Sequence, residues 1–213
     1  MILAVRGVTQ GRPEFDRLLR LFACAAARTV WLYTPAGACR KAVEVAEDFA
    51  DGLATAAALE SARTAAEKQA VLGVRGKPSA GWAAANATNP DAFVAAQRAM
   101  EEVLQLFVTD QTQTDRNARA LGHLLDDLFG PFVASPASSP VAPPDEVVLV
   151  RAFAADHAMK SAAEAIYREN DFRDMRFFGE KLRAAGCKSP SLIDHCCTGR
   201  HARGCWMIDA ARS

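Results

Sequence analysis

The spacing of apolar residues along this chain is helical almost throughout. From Pro13 onward, Phe15, Leu18, Leu19, Phe22, Ala26 and Val30 recur at intervals of three and four, the stripe of a 3.6-residue period. Pro13 suits the first turn of that helix, and Thr34-Pro35 with Gly37 ends it. A second helix is predicted over about 39–51, closed by Gly52, and a third after Thr55 as N-cap to about 72. Gly73, Gly76, Pro78, Gly81 and Pro90 make 73–90 a loop with a short helix at 82–85. Asn89-Pro90 opens a helix to about 108. Another over 114–128 aligns Leu121, Leu124, Leu125 and Leu128, and Phe129-Gly130-Pro131-Phe132 is expected to stop it. Residues 1–12 show no period and read as an extended lead-in.

Residues 133–144, Val-Ala-Ser-Pro-Ala-Ser-Ser-Pro-Val-Ala-Pro-Pro, interrupt the pattern. Such a run favours extended polyproline geometry and acts as a semi-rigid tether. It separates an amino-terminal helical bundle over 1–132 from a smaller carboxyl-terminal lobe over 145–213. That lobe is expected to hold a helix over 145–167 with a break near His157, and one over 171–185 closed by Gly186. A short helix from Pro190 and a last one over 202–210 complete it. The predicted fold class is all-α, a helical bundle followed by a helical-hairpin lobe.

Composition agrees, because an alanine-rich chain with only 13 Gly and 10 Pro among 213 residues carries few helix breakers. Net charge is zero, with 25 basic and 25 acidic residues; 147–213 is mildly basic, 11 against 8. No apolar run reaches the roughly 18 residues of a membrane helix, and the amino terminus lacks a secretory pattern, so a cytoplasmic protein without membrane contact is expected. Phosphate-binding GxxxxGK[ST], dinucleotide-binding GxGxxG, HExxH and GxSxG motifs are absent, which removes the usual signatures of nucleotide hydrolysis, dinucleotide redox chemistry, zinc proteolysis and serine hydrolysis.

Chemistry concentrates near the carboxyl end. Cys187, His195, Cys196, Cys197, His201 and Cys205 gather four of six cysteines and two of four histidines. Thiolate and imidazole are what tetrahedral zinc takes, and His195, Cys196, His201 and Cys205 are the candidate ligands of a structural zinc. No CxxC pair occurs, and the leading reading of Cys187, Cys196 and Cys205 is as small buried residues lining a helical hairpin. Cys205, with His201 four residues before it, is a third reading, a reactive thiol. Glu44, Glu47, Asp48 and Asp51 share a helix edge and read as a solvated face, with Arg17, Arg20 and Arg28 available to pair with it or hold phosphate. Arg173, Arg176, Arg200 and Arg203 are candidate binding residues of the basic lobe, interleaved with Phe172, Phe177, Phe178 and Trp206.

Several blocks carry a resemblance. Leu21-Phe22-Ala23-Cys24 with Trp31, the run from Arg40 to Gly52, Leu125 to Phe132, Ala165-Ile166-Tyr167, Leu182 to Cys187 and His195-Cys196 followed by His201-Ala202-Arg203-Gly204-Cys205-Trp206 with Asp209 are similar, in order, to an uncharacterised helical family abundant in planctomycete genomes. Members often occur beside short repeat-companion domains, and the resemblance implies no activity. The family commonly has further cysteines where Ala25, Ala26 and Ala27 stand, and its loop between Cys196 and His201 is one residue longer; both departures weigh against a metal site drawing on both lobes. The last block also resembles the second half of a HEAT-type repeat, which implies stabilising roles for Arg203 and Asp209 and a stacked hairpin presenting an interaction surface.

These readings predict a non-catalytic interaction, scaffold or accessory module whose partner is another protein. The alternatives are a nucleic-acid-associated protein using the basic lobe, and a zinc-stabilised or thiol-redox protein.

Overall fold

Helices are the regular elements of the computed structural model, which describes residues 2–9, 11–72, 78–134, 144–198 and 200–213. Twelve α-helices, two short 3-10 turns and no strand occur among the described residues, so the protein is all-α. None of these helices is long and apolar enough to cross a membrane. The chain forms two compact units, Met1–Gly122 and His123–Ser213. Within the Pro/Ser/Ala-rich stretch, 135–143 lie outside the described residues.

The first unit contains α1 (Ile2–Thr9), α2 (Asp16–Thr29), α3 (Ala38–Ala50), α4 (Ala56–Leu72), α5 (Pro78–Asn86) and α6 (Ala92–Gln105), then the start of α7 (Gln111–Ala134). Its centre is α2, in which every residue from Leu18 to Ala27 is buried. The expected single apolar stripe therefore understates its burial: α2 packs against α3, α5 and α6, and alanines at 23 and 25–27 let those helices approach. Ala92, Ala95, Ala96 and Ala99 do the same on α6. Between α4 and α5, a Cβ on Gly81 would lie 3.2 Å from the Ala70 Cα, which explains glycine inside that helix.

Polar groups inside this unit are matched. Arg20, only 3% exposed, donates to the carbonyls of Ala87, Asn89 and Pro90 at 2.7–3.0 Å, tying α2 to the turn between α5 and α6. The acidic edge of α3 is only partly a solvated face. Glu44 is exposed, but Glu47 is buried and accepts from Arg28 at 2.6 and 2.8 Å, while Asp51 accepts from Arg17 at 3.0 Å. Packing of α3 on α2 brings these carboxylates to basic residues, and Arg20 is committed to backbone carbonyls instead.

Several boundaries differ from the sequence reading. Residues 2–9 form a helix, with Val5 and Thr9 buried one turn apart and the Thr9 hydroxyl donating to the Val5 carbonyl. The N-cap of α6 is Asp91, whose carboxylate accepts from the Val94 amide at 2.9 Å; Asn89 instead closes the turn by accepting from the Asp91 amide. Helix α7 continues through Pro131 to Ala134. Proline there removes one helical hydrogen bond, to the Asp127 carbonyl four residues back, but Phe129 and Phe132 are buried on either side. Burying each phenyl ring contributes about 1.5–3 kcal/mol, enough to hold the final turns.

The second unit takes the end of α7 and adds α8 (Asp145–Phe153), α9 (His157–Glu169), α10 (Met175–Ala184), α11 (Pro190–Cys197) and α12 (Trp206–Arg212). The break at His157 is real: Asp156 caps α9 by accepting from the Ala158 amide at 2.7 Å. Left-handed Asn170 and Gly186 close α9 and α10. Helix α9 packs on α10 and α12, α8 on α12, and α10 on α11. At the last of these crossings a Cβ on Gly179 would sit 2.7 Å from the Cys196 Cβ. Helix α12 starts at Trp206 rather than 202, because the chain before it forms a turn through Gly204 at φ +92°.

Candidate metal centre

Four polar side chains from separate segments of the second unit meet inside it. Asp127 projects from α7, His195 from α11, His201 from the turn after α11, and Cys205 caps α12. One donor atom from each lies within 4.8 Å of every other. Asp127 and Cys205 are buried, the His201 side chain is 7% exposed and that of His195 18%.

The contacts close on themselves. Nδ1 of His201 lies 2.7 Å from Asp127 Oδ1 and 3.9 Å from Cys205 Sγ. Nε2 of His195 lies 3.3 Å from the same Oδ1 and 3.4 Å from the same sulfur. Each imidazole thus turns a single nitrogen toward both the carboxylate and the thiol, although one N–H can make only one good hydrogen bond. Asp127 Oδ2 stands apart from the group and accepts from the Ala202 amide at 3.0 Å, which fixes the carboxylate and leaves Oδ1 for it. The His195 ring packs against His201 and Trp206, with centroids 5.0 and 5.1 Å away.

Electrostatics sharpen the picture. Burial opposes ionisation of Asp127, but hydrogen bonds from His195 and His201 outweigh it and hold its pKa below the ordinary value. Burial, reinforced by the Asp127 charge, pushes the Cys205 thiol well above its ordinary range, while the Ile208 and Met207 amides act in the opposite sense. A thiol so placed is neutral and a poor nucleophile, which counts against the reactive-thiol reading. His201 Nε2 is buried without a hydrogen-bond partner among the described residues.

The donor set suits one divalent cation. Tetrahedral zinc, with bonds of about 2.0–2.3 Å, spaces its ligand atoms about 3.3–3.6 Å apart. Three of the four distances lie within a few tenths of an ångström of that range, and the 2.7 Å pair must open by about 0.6 Å. One carboxylate and one thiolate with two neutral imidazoles balance a charge of +2, so a buried site would carry no net charge. Mixed oxygen, nitrogen and sulfur donors favour zinc over magnesium or calcium.

Of the ligands expected from sequence, His195, His201 and Cys205 come together and Cys196 does not. Adjacent residues on a helix point about 100° apart. Cys196 therefore faces the interior, where its thiol donates to Met207 Sδ at 3.1 Å and burial pushes its pKa up to about 12. Asp127 takes the fourth place. Its signal in the sequence was a carboxylate in step with the apolar stripe, three residues after Leu124 and on the flank of Leu128.

The four candidate binding arginines differ in their surroundings. Arg173 is exposed and forms a bidentate pair with Asp171. Arg176 and Arg200 are exposed, and Arg203 is half-buried with its guanidinium 5.2 Å from the Tyr167 ring centroid. Comparison with known proteins finds no matching family model, no similar curated protein and no similar solved structure.

Proposed function

We propose that this protein is a helical accessory module whose carboxyl-terminal unit binds one zinc-class divalent ion through Asp127, His195, His201 and Cys205, and that it acts by presenting helix faces to another protein. The observation that carries the metal reading is the closed group of four donor atoms within 4.8 Å, drawn from segments up to 78 residues apart in sequence. A hydrogen-bond network alone accounts for it less well. Each imidazole nitrogen faces both the same carboxylate oxygen and the same sulfur, and one N–H cannot serve both.

With the ion bound, Asp127 and Cys205 would supply the negative charge and the two imidazoles would complete a tetrahedron from the protein alone. A full set of protein ligands is the mark of structural rather than catalytic zinc, which keeps a position for water. The interaction role rests on the chain's helical architecture and on exposed apolar side chains such as Leu32 and Val108 in the first unit.

The test of the metal site is elemental analysis of protein purified without chelator, followed by cobalt(II) substitution. The reading expects one metal per chain, intense tetrahedral cobalt absorption and a sulfur-to-cobalt charge-transfer band that Cys205→Ser abolishes. Absence of metal, or a cobalt spectrum unchanged in Cys205→Ser, overturns it.

A further inference from the structure

We infer that metal binding makes the fold of the second unit conditional: residues 123–213 pack stably only when the ion is held, whereas the first unit folds without it. This rests on the metal reading of the cluster and adds to it a consequence for regulation. The helix faces of the second unit become available to a partner only in the metal-loaded chain.

The first support is where the ligands lie. Asp127 is on α7, and the remaining three lie near the end of the chain within α11, the following turn and the cap of α12. A metal bond between them closes a loop of some 70 residues, and such long closures remove the most freedom from an unfolded chain. No disulfide serves this purpose, since none of the six cysteines is in a disulfide among the described residues.

Helix length supplies the second. In the first unit α2, α3, α4 and α6 run 14, 13, 17 and 14 residues, beside the shorter α1 and α5 of 8 and 9. In the second, α9 runs 13, but α8, α10, α11 and α12 run only 9, 10, 8 and 7. Helices below about 12–15 residues are marginal by themselves and depend on tertiary support. The two shortest of the second unit are those that the ligands anchor, with His195 on α11 and Cys205 at the start of α12.

The third is the state of the site without an ion. Asp127 and Cys205 are buried, and two imidazole nitrogens converge on the same carboxylate oxygen and the same sulfur, an arrangement that one set of hydrogen bonds cannot satisfy. A divalent ion converts the same four atoms into ligands, so its binding adds to the stability of the folded unit.

The experiment is hydrogen–deuterium exchange by mass spectrometry on the full chain, with zinc(II) and after removal of metal by a chelator, alongside a direct titration of zinc binding. Zinc at 100 times its dissociation constant should lower the open population of the second unit, and slow its exchange, by about 100-fold. Peptides covering 124–134 and 157–212 should share that slowing, and peptides from α2 to α6 should show none. Cys205→Ser should lose it; if that variant does not fold, His195→Gln, altered at the most exposed ligand, serves in its place. Zinc bound at one per chain with no change in exchange, or with equal slowing in both units, overturns the conditional fold and leaves the metal site standing. No zinc binding overturns both.

Discussion

Gly179→Ala isolates the contact that seats His195. The added Cβ would lie 2.7 Å from the Cys196 Cβ, against 3.4–4 Å for ordinary contact, so α10 and α11 must separate by about 0.7 Å. Overpacking of this kind costs about 1–3 kcal/mol, and the better helix propensity of alanine returns up to about 1 kcal/mol. With that return the net loss is up to about 2 kcal/mol, and in a unit of this size each kcal/mol lowers the melting temperature by about 4–8 °C. Because His195 precedes Cys196 on α11, the same displacement exceeds the roughly 0.2 Å that metal–ligand bonds tolerate, and zinc affinity should fall about 10–100-fold. Calorimetric melting and a competitive chelator titration, run as a double-mutant cycle, check this. Cys196→Gly, which deletes the opposing Cβ, should reduce the penalty of Gly179→Ala by at least about 1 kcal/mol, whereas Cys196→Ala, which keeps it, should not. Equal penalties in all three backgrounds, or a Gly179→Ala protein that melts higher and binds zinc normally, would refute the reasoning.

Arg20→Met should destabilise the first unit by about 3 kcal/mol in urea titrations, because it strands the buried carbonyls that Arg20 satisfies between α5 and α6. Asp156→Ala removes the N-cap of α9 and should cost about 1 kcal/mol, while Asp156→Asn should cost much less; equal losses would rule out the cap as the cause. Burial raises the Cys39 pKa above that of an exposed thiol. Its contribution to stability is therefore complete below the unfolded pKa of about 8.5 and declines, by up to about 1.4 kcal/mol per pH unit, as pH rises toward the folded value. Comparing urea unfolding of the wild type and Cys39→Ala from pH 7 to 10 should show the shallower alkaline decline in the variant.

The amino-acid sequence alone determined the all-α class, since a 3.6-residue period with few breakers admits no other regular structure. Local chemistry also settled the stop at Gly186 and the break at His157, where the capping group lies beside the backbone it satisfies. Boundaries set by distant partners were not legible. Pro131 reads locally as a stop, yet α7 passes it because Phe129 and Phe132 are buried. Residues 2–9 lack an amphipathic stripe and are still helical, with Val5 and Thr9 turned inward.

The candidate site divides along the same line. His195, His201 and Cys205 stand out in sequence because they are crowded into a short segment, but spacing alone cannot distinguish His195 from its neighbour Cys196. That choice depends on the rotation of α11 against α10, fixed by the missing side chain at Gly179. Asp127 could be recruited only in three dimensions: its carboxylate is 74 residues from His201 along the chain and 2.7 Å away in space. Periodicity records which residues face inward, whereas the meeting of four inward-facing donors depends on how the helices pack.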